Sequence, residues 1–121
     1  MRTIVLVMRR GLAAQGLMHT LRDIPDLRLT YEPEYSQADV ALIEVAESGR
    51  QDISYCLSLC DRLRTEAPQC KLLLMCPERD RKAVARAVEA KQKGRVDDFI
   101  FYDATNDYLA SKLLSMRRDC T

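Results

Sequence analysis

Five short apolar runs alternate along this chain with stretches whose apolar residues recur every three or four positions, and few architectures satisfy that alternation. The runs cover residues 3–8, 27–31, 38–45, 71–76 and 97–102. Residues 3–8 are uninterrupted and rich in β-branched side chains, which suits a central strand. Residues 27–31 follow Pro25-Asp26 and alternate apolar with polar, as an edge strand does. Residues 38–45 are apolar on both parities, so they read as a strand covered on both faces, with one carboxylate, Glu44, near its C-terminal end.

The intervening segments complete the pattern. Leu12, Leu17, Leu21 and Ile24 lie at helical spacing, with Gly16 read as easing close packing on the sheet and His19 on the polar side. Residues 32–37 are short and polar around Pro33, so a second helix is short or missing. Ile53, Cys56, Leu57, Cys60 and Leu63 step by three and four and stop before Pro68. Between residues 79 and 93 the inward positions are Ala83, Val84, Ala87 and Val88, and Gly94 ends the helix. Thr105 or Asp103 can cap a last helix that turns Leu109, Leu113 and Met116 inward and ends in Arg117-Arg118. Parallel strands need helical crossovers, and right-handed crossovers cover both faces of the sheet. The expectation is a single α/β domain over residues 1–121: a three-layer sandwich around a five-stranded parallel sheet in the flavodoxin-like order 2-1-3-4-5, with its site at the C-terminal strand ends.

Composition narrows the function. A net charge of +1 argues against a globally nucleic-acid-binding protein, and no apolar run approaches the roughly 18 residues of a membrane span. With no signal peptide, the expected location is the cytoplasm. The five cysteines (Cys56, Cys60, Cys70, Cys76, Cys120) form no C-x-x-C pair and stand beside one histidine, so they read as buried small hydrophobes; no metal and no cofactor are expected. Cys56-x5-Arg62 has the spacing of a phosphatase nucleophile and its arginine, but it falls mid-helix, where the backbone N–H groups are already bonded. Cys76 ends a strand near Arg79 and Arg81, which leaves open a reactive thiol beside the reading of a buried cysteine. Residues 79–95 hold seven cations against Asp80 and Glu89, read as a solvated face or as one half of a charged self-association surface with Asp97 and Asp98.

Several segments resemble the receiver domain of two-component response regulators. Arg10-Gly11-Leu12-x-x-Gln15-Gly16-Leu17-x-x-x-Leu21 resembles the first helix of receivers attached to helix-turn-helix output domains. Asp39-Val40-Ala41-Leu42-Ile43-Glu44 resembles the third strand leading to the phosphoacceptor. Leu63-Arg64-x-x-x-Pro68-x-x-Lys71 resembles the end of the third helix and the entry to strand four, and Asp97-Asp98-Phe99-Ile100 resembles the fifth strand. In that family an aspartate takes a phosphoryl group with help from Mg²⁺ held by acidic residues, a lysine and a hydroxyl. This chain departs at each position. Met8 and Arg9 stand for the acidic pair, Glu44 for the phosphoacceptor, Cys76 for the Ser/Thr and Tyr102 for the lysine. A thioether and a guanidinium remove the metal's ligands, and nothing then neutralises charge in phosphoryl transfer.

The resemblance therefore implies a degenerate, phosphorylation-independent receiver: not an enzyme, but a regulatory module that works by protein contact in a response or transcription regulator. Arg9 is expected to pair with Glu44; the alternatives are that Glu44 imitates the phosphorylated aspartate or faces water. Receivers pair through the face of helix four, strand five and helix five, which here places Arg79, Arg81, Lys82, Arg86, Asp97, Asp98 and Lys112 on a possible homodimer surface. DNA contact would come only through an output domain outside these residues, and no membrane contact is expected. The alternatives are a sensor of a small anion or metabolite over Arg9 and Arg10, or a phosphoacceptor at Glu44.

Overall fold

Each residue of β3 (Val40–Glu44) is buried, as its two-sided apolar run requires. It is the middle strand of a parallel sheet with β1 (Arg2–Val7), β2 (Leu27–Thr30), β4 (Lys71–Cys76) and β5 (Asp98–Phe101) in the order β2-β1-β3-β4-β5. The structure is a computed structural model, and it describes residues 2–8, 12–31, 35–47 and 49–116. Among the described residues three helices cross between strands, α1 (Leu12–Arg22), α2 (Ile53–Glu66) and α3 (Arg81–Gln92), and α4 (Asn106–Ser115) follows β5. Between β2 and β3 the crossover shrinks to one 3-10 turn, Tyr35–Gln37. The short or missing second helix is thus a single turn, and helices four and five of the sequence reading are α3 and α4.

The pleat sorts the core into two halves, because successive side chains on a strand face opposite ways. Val5, Ala41, Ile43, Leu72 and Leu74 pack with Cys56, Leu57, Cys60 and Leu63 of α2 and with Ala83, Ala87 and Ala90 of α3. Ile4, Leu6, Leu42, Leu73 and Ile100 pack on the other face with Leu17 and Leu21 of α1 and Leu109 and Leu113 of α4. Leu42, Leu72, Leu73 and Leu74 have no exposed surface, so truncating any one to Ala would cost about 2–5 kcal/mol.

Helix starts follow side-chain chemistry. Carboxylates of Asp52 and Asp80 accept from the Tyr55 and Ala83 amides at 2.9 and 3.1 Å, and the Thr105 hydroxyl accepts from the Tyr108 amide at 3.1 Å. Asp80 caps α3, so the helix begins at Arg81 and not at Arg79. Gly94 follows the cap residue Lys93 with φ +75°, the left-handed stop that favours glycine. β5 begins at Asp98; Asp97 lies just before it, and its carboxylate accepts from the Leu72 amide at 2.7 Å and from Arg64 at 3.1 Å.

Two packing expectations are corrected. Gly16 does not ease contact with the sheet: it is exposed, and a Cβ built there meets nothing within 4 Å. Val88 is not inward. The buried row of α3 runs Ala83, Ala87, Ala90, an i, i+4, i+7 stripe that leaves Val84 half-buried and Val88 38% exposed. Arg117-Arg118 lie outside the described residues. Among the described residues no helix is long and apolar enough to cross a membrane.

Candidate functional site

The C-terminal edge of the sheet is where the strand ends gather side chains without pairing them further. Glu44 is opposite Met75 of β4, and Met8 follows the Val7–Ile43 pair of β1 and β3. Strand parity sends Glu44, Met8 and Met75 to the α1–α4 side. There they floor a cleft of about 590 Å³ whose walls include Leu17 and Thr20 of α1, Tyr102 after β5, and Asn106 and Leu109 of α4. Glu44 is only 6% exposed, the one buried charged side chain among the described residues. Asn106 Nδ2 donates to Thr20 Oγ1 at 3.2 Å, joining the helices that wall the cleft.

Side chains of the chain itself tie this edge together. Gln51 Nε2 donates to the Val7 and Glu44 carbonyls at 2.8 and 2.7 Å, bridging β1 and β3. The Gln51 carbonyl accepts from the Ala46 amide at 2.7 Å, which closes the loop after β3. The Tyr102 hydroxyl donates to the Val45 carbonyl, and the Tyr102 amide to the Cys76 carbonyl at 3.1 Å, so β5 is held to β3 and β4. Cys56 Sγ reaches the Glu44 carbonyl at 3.4 Å from below.

The structure brings together Met8, Glu44 and Tyr102 but separates Cys76 from them. Cys76 shares parity with Leu72 and Leu74, so it enters the α2–α3 core fully buried, and Met75 lines the cleft in its place. Burial, with a smaller contribution from Asp80, pushes the Cys76 thiol up to about 12. Burial likewise pushes Cys56 and Cys60 up to about 12, so none of the three is a thiolate nucleophile at neutral pH. Cys56 and Arg62 both sit within α2, where the phosphatase loop cannot form. Arg9 and Arg10 lie outside the described residues, and with them the expected Arg9–Glu44 pair.

The charged residues assigned to the α3–β5–α4 face divide into two sets. Arg79, Arg81 and Lys82 are exposed, whereas Arg86 bonds Ser54 Oγ of α2. Asp97 takes Arg64 and, at 3.9 Å, Lys71. Asp98 pairs with Lys91 of α3 at 2.9 Å and with Lys112 of α4, a bridge across the face inside one chain. Burial would raise the Asp98 carboxyl, but bonds from Lys112, Lys91 and the Phe99 amide outweigh it and hold the group below its ordinary value. What the sequence reading missed is apolar. Val88 of α3, Phe101 of β5 and Tyr108 of α4 are 38%, 37% and 54% exposed. Phe101 stacks edge-on against Phe99 with centroids 5.8 Å apart, and an open groove of about 600 Å³ runs along Phe99, Phe101, Thr105 and Tyr108. The sequence signal was an aromatic at alternate positions of a short edge strand.

No protein-family model matches the sequence, and no curated protein does. Solved structures do match. A DNA-binding response regulator of the LuxR family from Staphylococcus aureus superposes with TM-score 0.73 at 11% identity, over 96% of this chain and 98% of that one. A CheY-like protein, TadZ, from Pseudomonas aeruginosa gives 0.69 at 15% identity over 96% and 99%. An adenylate cyclase from Rhodopirellula baltica gives 0.73 at 15% identity over 94% and 85%. Strand order, helix placement and these superpositions agree: the chain has the CheY-like fold of response-regulator receiver domains.

Proposed function

We propose that this domain is a phosphorylation-independent receiver that acts through protein contact, as a homodimer formed by the α3–β5–α4 face, within a response or transcription regulator. The single observation that carries the reading is the exposed pair Phe101 and Tyr108, which line one open groove beside the unpaired edge of β5. Exposed apolar surface concentrated on one face marks an interaction site, and aromatic side chains supply most of the energy of such contacts. Asp98, Lys91 and Lys112 are already paired within the chain, so the aromatic pair, and not the acidic residues, supplies the attraction. Arg81 and Lys82 remain as an exposed rim.

Independence from phosphorylation is supported by what fills the C-terminal edge. Met8 offers a hard cation a thioether where an oxygen ligand is needed. Tyr102 brings a phenol hydrogen-bonded to Val45 where a lysine would neutralise a phosphoryl group. Gln51 and Tyr102 tie the strand ends and the loop after β3 through hydrogen bonds within the chain. The reading of Glu44 as a phosphoacceptor draws support only from the opening of the cleft onto its carboxylate.

Sedimentation velocity of the native chain and of Tyr108→Glu tests the dimer. Glu at the third helical position can bond back to the Thr105 amide as a capping box, so the variant keeps its helix while placing a charge in the groove. The expected result is a concentration-dependent dimer that Tyr108→Glu converts to monomer. A native chain that stays monomeric at every concentration and salt contradicts the reading.

A further inference from the structure

The outer side of β5 carries one backbone donor and one backbone acceptor that the fold does not use. On a strand, each residue presents its N–H and C=O to one side and the next residue presents them to the other. β5 runs in register with β4 from Leu73–Asp98 to Cys76–Phe101, and the Tyr102 amide continues that ladder onto the Cys76 carbonyl. Asp98 and Ile100 therefore turn their backbone groups toward β4, and Phe99 and Phe101 turn theirs outward. Two of these outward groups are bonded within the chain. The Phe99 amide donates to the Asp98 carboxylate at 2.8 Å, and the Phe101 carbonyl accepts from the Ala104 amide at 3.1 Å. Among the described residues nothing bonds the other two, the Phe99 carbonyl and the Phe101 amide.

We propose that two copies of this chain pair antiparallel along β5 about a two-fold axis at Ile100, so that their sheets become one continuous sheet. The proposal rests on the homodimer reading above and specifies how that face is joined. In this register Ile100 lies opposite Ile100, and each Phe101 amide donates to the Phe99 carbonyl of the other copy. The pairing thus uses the donor and acceptor that remain and needs neither of the groups already taken. It also sets Phe101 beside Phe99 of the other copy on one face of the sheet, extending the edge-on ring pair, and cross-strand aromatic pairs stabilise such contacts. Residue 103 falls opposite residue 97. The exposed Asp103 is thereby brought to the strand end where Lys91 and Lys112 share the single carboxylate of Asp98. This two-fold match of hydrogen bonds and charge makes a second copy, and not an unrelated extended peptide, the occupant of the edge.

The test is isotope-filtered NOE spectroscopy on an equal mixture of labelled and unlabelled full chain, at a concentration where sedimentation shows the dimer. In an antiparallel pair that exchanges no hydrogen bond of its own, the two α protons face each other, so an intermolecular contact between Ile100 α protons is expected. Replacing the Phe101 amide by an ester removes the donor and keeps the side chain. That N–H has no partner among the described residues, so the ester chain is expected to stay folded and to dimerise more weakly by roughly tenfold or more. A dimer that Tyr108→Glu dissociates, but that lacks the Ile100 contact or is indifferent to the ester, overturns the strand pairing and leaves the homodimer reading standing. A chain that stays monomeric at every concentration overturns both, and leaves the edge of β5 to an extended segment of another protein.

Discussion

Cys56, Cys60 and Cys76 show how burial decides what a residue can do. Each thiol is pushed up to about 12, chiefly by loss of water. An unfolded thiol ionises near pH 8.5, so from about that value the unfolded chain sheds protons that the folded one keeps. The stability these thiols contribute is therefore whole below about pH 8.5 and lost as pH rises toward 12. Denaturant midpoints measured from pH 7 to 10.5 should fall, and alkylation of the folded chain at pH 7.5 should be slow at all three. Asp98 runs the other way. Its carboxyl is held low, so its contribution is present above the unfolded value near pH 4 and disappears as pH falls through the folded value. Asp98→Asn should cost about 1 kcal/mol at pH 7, with the difference from the native chain vanishing in acid. An equal cost at pH 7 and in acid would show that the Lys91 and Lys112 bonds contribute nothing.

At the scale of elements, periodicity located every strand and helix but did not always give their phase. Residues 71–76 are apolar on both parities, so nothing in that run says whether Met75 or Cys76 faces the α1–α4 side; the register with Glu44 decides it. Ala83, Val84, Ala87 and Val88 pose the same ambiguity on a helix, where packing against the sheet chose the small residues and turned Val88 out. Glu44 was legible because a lone carboxylate ending an apolar run has few places to go. The placement of Gly16 was not, since it faces open space and not the sheet. Gly16→Ala tests that placement by thermal or denaturant unfolding. It should stabilise the chain by about 0.5–1 kcal/mol, because α1 gains a better helix former and the added methyl meets nothing. Destabilisation would mean that Gly16 is packed after all.

For the whole molecule, the alternation of strands and helices, with the first run central, predicted the order β2-β1-β3-β4-β5 that the structure has, and pointed to the C-terminal edge as the candidate site. It could not fix how that edge is held, because Gln51 and Tyr102 come from loops whose course no periodicity encodes. In the function proposed, these ties, with Met8 just after β1, leave a receiver fold that neither needs nor accepts a phosphoryl group. The most direct measurement is a two-dimensional NMR titration of the reduced chain with Mg²⁺ and then with beryllofluoride, a mimic of the phosphoryl group. The Glu44, Cys76 and Tyr102 resonances should stay in place at millimolar Mg²⁺ and after beryllofluoride is added. Saturable movement of those resonances, followed by a shift in the monomer–dimer balance, would contradict the proposed function and identify Glu44 as a working phosphoacceptor.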